Sequence, residues 1–357
     1  MLPKVMKAVL LKGNGGFDQL EYREDVAVPV PAAGEVLIRV GAAGINNTDV
    51  NTRTGWYSKS VTVGSGSDTR HAESSREDSG WTGTPLSFPR IQGADACGRI
   101  VAVGAGVDPT RIGERVLVDP VLRTPGTSPL DATYFGSDRD GAFAEFATVP
   151  QANACRIASE LSDIELASFP CAYAAAENML NRAAVRAGET VLLTGASGGV
   201  GSAAVQLAQR RGAAVLALAS AAKAGAVAKI GANAVLSRDT DLVAALGPES
   251  VDVVVDVVGG RQFPQMLKVL RRGGRYAVAG AISGPMVELD LRTLYLKDLT
   301  MLGCTILEPE VFRNLIGYIE RGEIVPIISA TYPLRAIVDA QIAFLAKLHV
   351  GKIVLVP

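Results

Sequence analysis

The sequence predicts an α/β protein in two parts, a β-barrel-like unit and a unit whose parallel sheet is covered by helices on both faces. In the first 150 residues, short strand-like runs are separated by Gly and Pro, a pattern that favours a small barrel over βαβ repeats. From about residue 159, near-continuous Val/Leu/Ala strands alternate with helical patterns, which indicates a parallel sheet. The length of 357 residues is ample for two cores.

The barrel-like part is predicted from short apolar runs near the N-terminus and from the tail of the chain. Because no helix follows the last predicted strand, we expect the tail to return to this first part. The predicted strands are 4–11, 35–45, 98–104, 115–118 and 142–149, and the tail contains helices 309–321 and 336–348 and strand 352–356.

The second part opens with a strand, a glycine-rich turn and a helix start in succession. Such a turn suits a dinucleotide pyrophosphate, because glycines let the backbone approach the phosphates and the helix N-terminus offers free N–H groups. Alone the motif is weak, since Ala196 replaces the first glycine of G-x-G-x-x-G. Helix 172–184 precedes this strand, and the elements predicted after the turn are helix 200–211, strand 213–219, helix 223–230, strands 234–236 and 251–258, helix 263–270, and strands 275–279 and 300–306.

Bulk composition excludes several classes of partner. The 35 basic and 36 acidic residues nearly balance, and no block of Lys or Arg occurs, so neither nucleic acid nor an anionic membrane is expected as the main partner. Charged residues interrupt the longest apolar stretches, which excludes a membrane-spanning helix. Four cysteines lie far apart without a C-x-x-C pair, a pattern that favours a reducing, cytoplasmic location over a disulfide or structural zinc framework.

Residues 58–88 form a long stretch rich in Ser, Thr, Gly and mixed charge, with neither helical nor strand periodicity. A loop of this length inside a compact domain is either functional or a plain insertion. Both interpretations remain open from the sequence: a lid over the active site, or a surface insertion.

Several motifs, in the same order and at matching spacing over nearly the whole chain, resemble the medium-chain dehydrogenase/reductase superfamily. The similarity is to its zinc-free quinone oxidoreductase (zeta-crystallin-like) branch, and only the 58–88 stretch lacks a counterpart. The resemblance implies a chaperonin-10-like catalytic domain (1–157 and 306–357), a Rossmann domain (158–305), a substrate cleft beside the nicotinamide, and a homodimer formed through strand 300–306. The matching stretches are 34–40, 44–49, 53–57, 93–98, 141–145, 198–201 with 206–208, and 351–354.

Zinc-containing members of the superfamily carry a Cys in the first of these motifs, a Gly-His-Glu in the second and a later Cys. Here the corresponding residues are Asn46, Ala94, Asp95 and Cys171. One thiol without an imidazole does not make a catalytic zinc site, so we expect no metal. Without a Lewis acid, alcohol oxidation is disfavoured and hydride addition to a conjugated carbonyl is favoured.

The cofactor is predicted to be NADPH. An NAD site carries an acidic residue about 20 residues after the glycine turn, where this chain has Ser220 and Lys223, with Arg238 after the next strand. A hydroxyl and two cations suit a 2′-phosphate. The remaining contacts are expected at the glycine turn (Ser197, Gly198, Gly199, Val200), at strand ends (Val258, Gly280, Ala281) and, from the resemblance, near the ribose (Asn46, Lys352) and the nicotinamide ring (Gly303, Thr305).

Three residues are candidates for catalysis. Tyr57 is the preferred hydrogen-bond donor to the substrate oxygen, Thr48 matches a hydroxyl that relays a proton in zinc relatives, and Asn46 can orient a carbonyl or a ribose. Tyr134 is a weaker candidate, and Asp49 is expected to cap the helix that begins near it.

These observations predict NADPH-dependent reduction of a quinone or an α,β-unsaturated carbonyl without zinc. A zinc alcohol dehydrogenase is opposed by Asn46 and Ala94, and a short-chain dehydrogenase by the lack of any Tyr-x-x-x-Lys pair among the eight tyrosines. Two alternatives stay open: a zinc-free alcohol or aldehyde dehydrogenase-like protein, and a non-catalytic NADPH-binding protein. The second arises because Ala175 and Glu177 stand where relatives carry a Thr-Ala-aromatic motif.

Overall fold

The computed structural model describes residues 2–66, 74–124 and 126–357, so residues 67–73 of the predicted 58–88 insertion, His71 among them, lie outside the described residues. The chain forms two compact units. The barrel unit comprises Met1–Val61, Ser67–Cys171 and Phe312–Pro357, and the sheet unit comprises Thr62–Gly66 and Ala172–Val311.

The strands are numbered in chain order. They are β1 (Val5–Leu11), β2 (Leu20–Ala27), β3 (Glu35–Gly44), β4 (Arg90–Ile91), β5 (Cys97–Val103), β6 (Arg115–Val118), β7 (Val121–Arg123), β8 (Ala132–Tyr134), β9 (Phe146–Pro150), β10 (Ala154–Arg156), β11 (Thr190–Leu193), β12 (Ala214–Ala219), β13 (Ala234–Ser237), β14 (Val251–Asp256), β15 (Leu270–Val278), β16 (Thr300–Gly303), β17 (Ile328–Pro333) and β18 (Lys352–Val356).

The α-helices are numbered in the same way. They are α1 (Asn47–Thr54), α2 (Asp163–Leu166), α3 (Pro170–Arg182), α4 (Gly199–Arg210), α5 (Ala221–Ile230), α6 (Leu242–Leu246), α7 (Phe263–Val269), α8 (Leu291–Leu296), α9 (Val311–Glu320) and α10 (Ile337–Leu345). Within the described ranges, no helix is long and apolar enough to cross a membrane.

Strand β3 organises the barrel unit. It pairs with β5, β9 and β18, in a sheet ordered β10-β6-β5-β3-β18-β17, and its residues Val36, Leu37 and Ile38 are fully buried in the core. The antiparallel pairing of β18 with β3 confirms that the tail returns to the first part of the chain. The predicted strand 142–149 begins only at Phe146, because Ala142 and Phe143 bond to Gly93 and Gln92, and Ala144 forms only an isolated bridge with Ala8.

The sheet unit is a six-stranded sheet ordered β13-β12-β11-β14-β15-β16, and every neighbouring pair is parallel. Counted within the sheet this is the order 3-2-1-4-5-6 of a doubly wound dinucleotide-binding fold. The predicted fold class is therefore confirmed. Helix α7 ends at Val269, one residue before its predicted end, because Leu270 adopts an extended conformation and starts β15.

Candidate active site

The glycine-rich turn of the sheet unit joins β11 to α4. Gly195 adopts a positive φ of 60°, and a Cβ atom at Gly201 would collide with the Gly195 carbonyl oxygen, so both positions require glycine. Gly198 is the N-cap of α4, and Gly199 and Val200 form its first turn. The first N–H groups of a helix have no partner within the helix. The turn and helix start therefore fit an anionic group such as a pyrophosphate.

A buried carboxylate holds the strand ends beside this turn. Asp256, at the end of β14, is fully buried and accepts hydrogen bonds from the hydroxyl groups of Thr194 and Tyr276 and from the N–H groups of Val258 and Gly259. Sequence analysis did not single out this network. The local signal is weak, because β14 (VDVVVD) carries a second carboxylate at Asp252.

Ser220, Lys223 and Arg238 come together at the carboxyl end of β12. Ser220 is the N-cap of α5, its carbonyl accepts from the Lys223 N–H at 2.9 Å, and the Arg238 N–H donates to Ala219 at 3.1 Å. Burial, and then the positive charge of Arg238, lower the pKa of Lys223. Two cations and a hydroxyl at one turn can bind a dianionic group.

The other residues predicted to contact the cofactor lie at or just beyond the carboxyl ends of neighbouring strands, the edge at which parallel sheets bind ligands. Val258 follows β14, Gly280 and Ala281 follow β15, and Gly303 ends β16 with Thr305 just beyond. The carbonyl of Gly303 accepts a hydrogen bond from Arg182. Glu177 has a structural partner, because Arg211 donates to both of its carboxylate oxygens at 2.8 and 2.6 Å.

In the barrel unit, Asn46, Asp95 and Lys352 form one buried cluster, called here the Asn46–Asp95–Lys352 cluster. The Lys352 Nζ donates to Asn46 Oδ1 at 2.6 Å, to Asp95 Oδ2 at 2.7 Å and to the Ile45 carbonyl at 2.9 Å. Asn46 Nδ2 donates to Asp95 Oδ2 at 2.9 Å and to the Gly44 carbonyl at 3.4 Å. A Cβ atom at Gly44 would collide with Asp95, so the glycine admits the carboxylate.

These contacts limit what the cluster can do for a ligand. An ammonium has three donors and an amide has two, and all five are engaged within the protein. Asn46 Oδ1 retains one lone pair, so Asn46 can accept a hydrogen bond from a ligand hydroxyl. Donation to a substrate carbonyl by Asn46 or Lys352 would require breaking one of these bonds.

Thr48 and Tyr57 also come together. The Tyr57 hydroxyl donates to Thr48 Oγ1 at 2.9 Å, and burial raises the pKa of Tyr57 to about 12. The Thr48 hydroxyl proton is therefore left for a further acceptor. The N-cap of α1 is Asn46 rather than the predicted Asp49, which is the third residue of the helix. The Asp49 carboxylate takes part in a capping box, accepting from the Asn46 N–H at 2.8 Å, and it also accepts from the Gly93 N–H at 3.3 Å. Burial raises the pKa of Asp49 to about 7.

Tyr134 and Cys171 extend the site. The Tyr134 hydroxyl and Cys171 Sγ are 3.2 Å apart, and the Cys171 N–H donates to Asp95 Oδ1 at 2.6 Å. The Trp81 ring stacks on Tyr134 with centroids 4.5 Å apart and an interplanar angle of 24°. The sequence does not mark Trp81 as a site residue, because a lone aromatic residue in an aperiodic stretch belongs to no recognisable motif.

The residues at the metal-ligand positions do not fit a catalytic zinc. Asn46 presents an amide, Ala94 a methyl group, and the Asp95 carboxylate is paired with the Lys352 ammonium, so Cys171 is the one thiolate-forming donor of the four. In the part of the chain that the structure describes, no three His, Cys, Asp or Glu side chains form a cluster able to hold a metal ion.

Two family models match the chain. Residues 32–159 match the alcohol dehydrogenase GroES-like domain, and residues 199–321 match the zinc-binding dehydrogenase family. The second match covers most of the sheet unit and continues into the barrel unit from Phe312, and it includes none of Asn46, Ala94, Asp95 and Cys171. The word zinc in that description therefore does not describe the residues of this site.

Individual relatives cover nearly the whole chain. The acryloyl-coenzyme A reductase of Metallosphaera sedula is 30% identical over 365 residues, which span 98% of this chain and 99% of the relative. The quinone oxidoreductase of Homo sapiens is 27% identical over 351 residues, 95% of this chain and 93% of the relative. A solved structure from Sinorhizobium meliloti 1021, described as a candidate alcohol dehydrogenase, is 49% identical, with a TM-score of 0.89 and coverage of 100% and 98%. The chain therefore belongs to the medium-chain dehydrogenase/reductase superfamily, in its quinone oxidoreductase-like branch, and is an oxidoreductase.

Proposed function

We propose that this protein catalyses the NADPH-dependent reduction of a quinone or an α,β-unsaturated carbonyl without a metal ion. The observation that carries the proposal is the Asn46–Asp95–Lys352 cluster, because an ammonium already neutralises the carboxylate at a metal-ligand position. Relatives named for the reduction of acryloyl-coenzyme A and of quinones support the same acceptor chemistry.

The sheet unit has the groups to hold the cofactor. The pyrophosphate would bind at the α4 N-terminus through Ser197, Gly198, Gly199 and Val200, and the 2′-phosphate would bind Ser220, Lys223 and Arg238. Bound NADPH supplies the hydride. We assign Val258, Gly280, Ala281, Gly303 and Thr305 to the remaining cofactor contacts, since they lie at or just beyond the carboxyl ends of neighbouring strands.

Thr48 is the proposed hydrogen-bond donor to the acceptor oxygen. Its Oγ1 already accepts from Tyr57, so its own proton can be directed at an oxygen that gains negative charge. Tyr57 then acts behind Thr48 rather than directly on the acceptor. Asn46 would accept from a ribose hydroxyl through its remaining lone pair, and Lys352 would hold Asn46 in that orientation.

The proposal extends to assembly and location. Strand β16 lies at the edge of the parallel sheet and exposes the side chain of Met301, so we propose a homodimer formed through this edge. The four cysteines are free, as a reducing cytoplasm would keep them.

A second candidate function is NAD(P)-dependent oxidation of an alcohol. The 49% identical structure described as a candidate alcohol dehydrogenase favours it. The residues at the ligand positions oppose it. Neither Asn46 nor Ala94 is a zinc ligand, so the site does not hold the Lewis acid that activates an alcohol in zinc enzymes.

A panel of acceptors separates the two functions. NADPH and NADH consumption at 340 nm is followed with a quinone, an open-chain enone and an aldehyde, and the reverse reaction with simple alcohols. The proposal predicts turnover with the quinone or the enone, and NADPH preferred over NADH by at least about tenfold, the value of one charge-assisted contact. Alcohol oxidation faster than quinone and enone reduction would overturn it in favour of the second candidate. NADPH binding without turnover of any acceptor would favour the non-catalytic alternative.

A further inference from the structure

The second half of the 58–88 insertion lies against the barrel unit. Its polar side chains and backbone groups bond to residues on both sides of the insertion, so the segment from Ser74 to Thr84 is held in place. The bonds are Ser74 Oγ to the Gly55 carbonyl (2.8 Å), the Ser75 N–H to Ser58 Oγ (3.0 Å), the Lys59 N–H to Asp78 Oδ2 (2.8 Å) and Thr82 Oγ1 to Asp138 Oδ1 (2.9 Å).

This anchoring places Trp81 over Tyr134. The buried phenol, 6% exposed, is the inner layer of the stack, and the half-buried indole is the outer layer that keeps accessible surface. Tyr134 leads inward through Cys171 to Asp95. Two residues, Tyr134 and Cys171, therefore connect the indole to the Asn46–Asp95–Lys352 cluster.

A second aromatic pair lies at the same site. Trp56 meets Tyr57 edge to face with centroids 5.9 Å apart, and Tyr57 bonds to Thr48. Burial above all, and then neighbours that include Cys171, Asp95 and Tyr57, raise the pKa of Tyr134. Only 5% of the chain is aromatic, yet both of its tryptophans are in these two pairs.

We propose that Trp81 is a specificity-determining residue that stacks on the planar ring of the acceptor. The inference rests on the proposed function and narrows it to conjugated carbonyls that carry a ring, either quinones or aryl-substituted enones. Offset stacking on an aromatic face requires a flat π-system, and small open-chain enones cover little of an indole. Adding a ring to the Trp81–Tyr134 stack extends an arrangement that the protein already holds in place.

A binding experiment tests Trp81 without requiring turnover. The chain has two tryptophans, so Trp56→Phe leaves Trp81 as the single tryptophan and Trp81→Phe leaves Trp56. The fluorescence lifetime, which absorption by a quinone does not distort, is measured during titration with 1,4-naphthoquinone, 4-phenyl-3-buten-2-one and 3-penten-2-one, with and without NADPH. We expect saturable shortening of the Trp81 lifetime by one or both ring compounds, at concentrations about tenfold below those of the open-chain enone.

Steady-state kinetics supply the second arm. Trp81→Ala is expected to lower the ratio of kcat/KM for ring acceptors to kcat/KM for open-chain acceptors by about tenfold, the loss of one aromatic stack. Trp81→Phe retains most of the ratio, and the KM for NADPH stays unchanged. Glu77→Ala, an exposed position in the same segment, is the matched control.

Two results would overturn the inference: a Trp81 lifetime that ring compounds leave unchanged, or an equal loss for both acceptor classes in Trp81→Ala. If the wild-type protein turned over no acceptor, the proposed function would fail while the lifetime titration still decided whether Trp81 binds rings.

Discussion

Lys352 uses all three of its hydrogen-bond donors inside the barrel unit, and its side chain is 3% exposed. The Gly-Lys-Ile-Val motif identified this lysine from the sequence. Its partner Asp95 lies 257 residues away along the chain, and no local pattern predicts such a pairing. The sequence also suggested that Asn46 could orient a carbonyl. In the structure, the two N–H groups of its amide donate to Asp95 and to the Gly44 carbonyl.

Lys352→Met is expected to lower the free energy of unfolding of the barrel unit by about 3–5 kcal/mol, because it leaves Asp95 buried without its counter-charge. Urea denaturation followed by circular dichroism measures the change. Lys12→Met is the control: this exposed lysine is 3.9 Å from Glu21, and its loss costs at most about 1 kcal/mol.

The double variant Lys352→Met/Asp95→Asn sharpens this comparison. Removing both charges relieves the uncompensated carboxylate, so the double variant should be more stable than Lys352→Met alone. A double variant no more stable than the single one would show that the ion pair is not what holds the cluster together.

Asp49 makes stability depend on pH. Its pKa is raised by burial from 3.8 to about 7 in the folded protein, so the folded state binds the proton more tightly than the unfolded state. The stabilisation is full below about pH 4 and is lost as the pH rises through about 7, with a slope of up to about 1.4 kcal/mol per pH unit.

Asp49→Asn should remove this contribution. Unfolding free energies of the wild type and the variant, measured at intervals from pH 4 to pH 8, are predicted to differ by an amount that changes steadily up to about pH 7 and then levels off. Asp119, whose pKa burial raises to about 6, contributes to both proteins and cancels in the difference. A difference that stays constant with pH would contradict the assignment.

Helix α4 and its turn show what glycines specify at the level of an element. Gly201→Ala is expected to destabilise the sheet unit by about 1–3 kcal/mol through the collision with Gly195, and to weaken NADPH binding because the turn must move. Gly225→Ala is the matched control, since a Cβ atom at this position of α5 meets no atom within 4 Å. Thermal unfolding should show that Gly225→Ala is more stable than the wild-type protein by about 0.5–1 kcal/mol, because alanine favours a helix more than glycine does. Equal effects of the two substitutions would contradict the prediction.

The β12–α5 turn carries the expected preference for NADPH. In the variant Lys223→Ala/Arg238→Ala, the KM for NADPH should rise at least about tenfold while the KM for NADH stays within about twofold, because only NADPH carries the 2′-phosphate. Lys229→Ala, an exposed lysine in the last turn of α5, is the control. Parallel changes in both KM values would show that these cations do not recognise the phosphate.

Elements with a strong hydrophobic pattern were predictable from the sequence, and elements with a weak hydrophobic pattern were not. The buried parallel strands β11, β12 and β14 appear in the sequence as continuous apolar runs. Strand β2 was missed because half of its residues, LEYREDVA, are charged, and among the described residues it pairs with β1 alone. Strand β17 was missed because it carries no continuous apolar run.

At the scale of the whole molecule, the fold class and the return of the tail followed from the order of the elements. The 58–88 insertion was recognised from its composition, but its contacts did not follow from any pattern. Its residues Thr62–Gly66 belong to the sheet unit, where the Ser65 N–H donates to the Ile282 carbonyl at 3.1 Å. Because such contacts depend on tertiary packing rather than on local propensity, a single sequence does not predict them.

The edge strand β16 exposes an apolar side chain, Met301. Met301→Lys is expected to place a charge in the proposed dimer interface and to shift the protein to monomers in sedimentation velocity. Leu348→Lys, at an exposed leucine of the barrel unit, is the control and should leave the assembly unchanged. A dimer unaffected by Met301→Lys would contradict this interface. Further exposed apolar side chains lie in the segment that precedes β16 in the chain: Met286, Val287, Leu291, Tyr295 and Leu296.

The central claim is that an ammonium rather than a metal ion completes the barrel-unit site. The most direct test is kcat/KM for NADPH-dependent reduction of 1,4-naphthoquinone, measured on the protein before chelation, after exhaustive chelation, and after zinc is added back. We predict the same value in all three states, with less than one zinc ion per ten chains after chelation. Activity that disappears on chelation and returns with zinc would contradict the account.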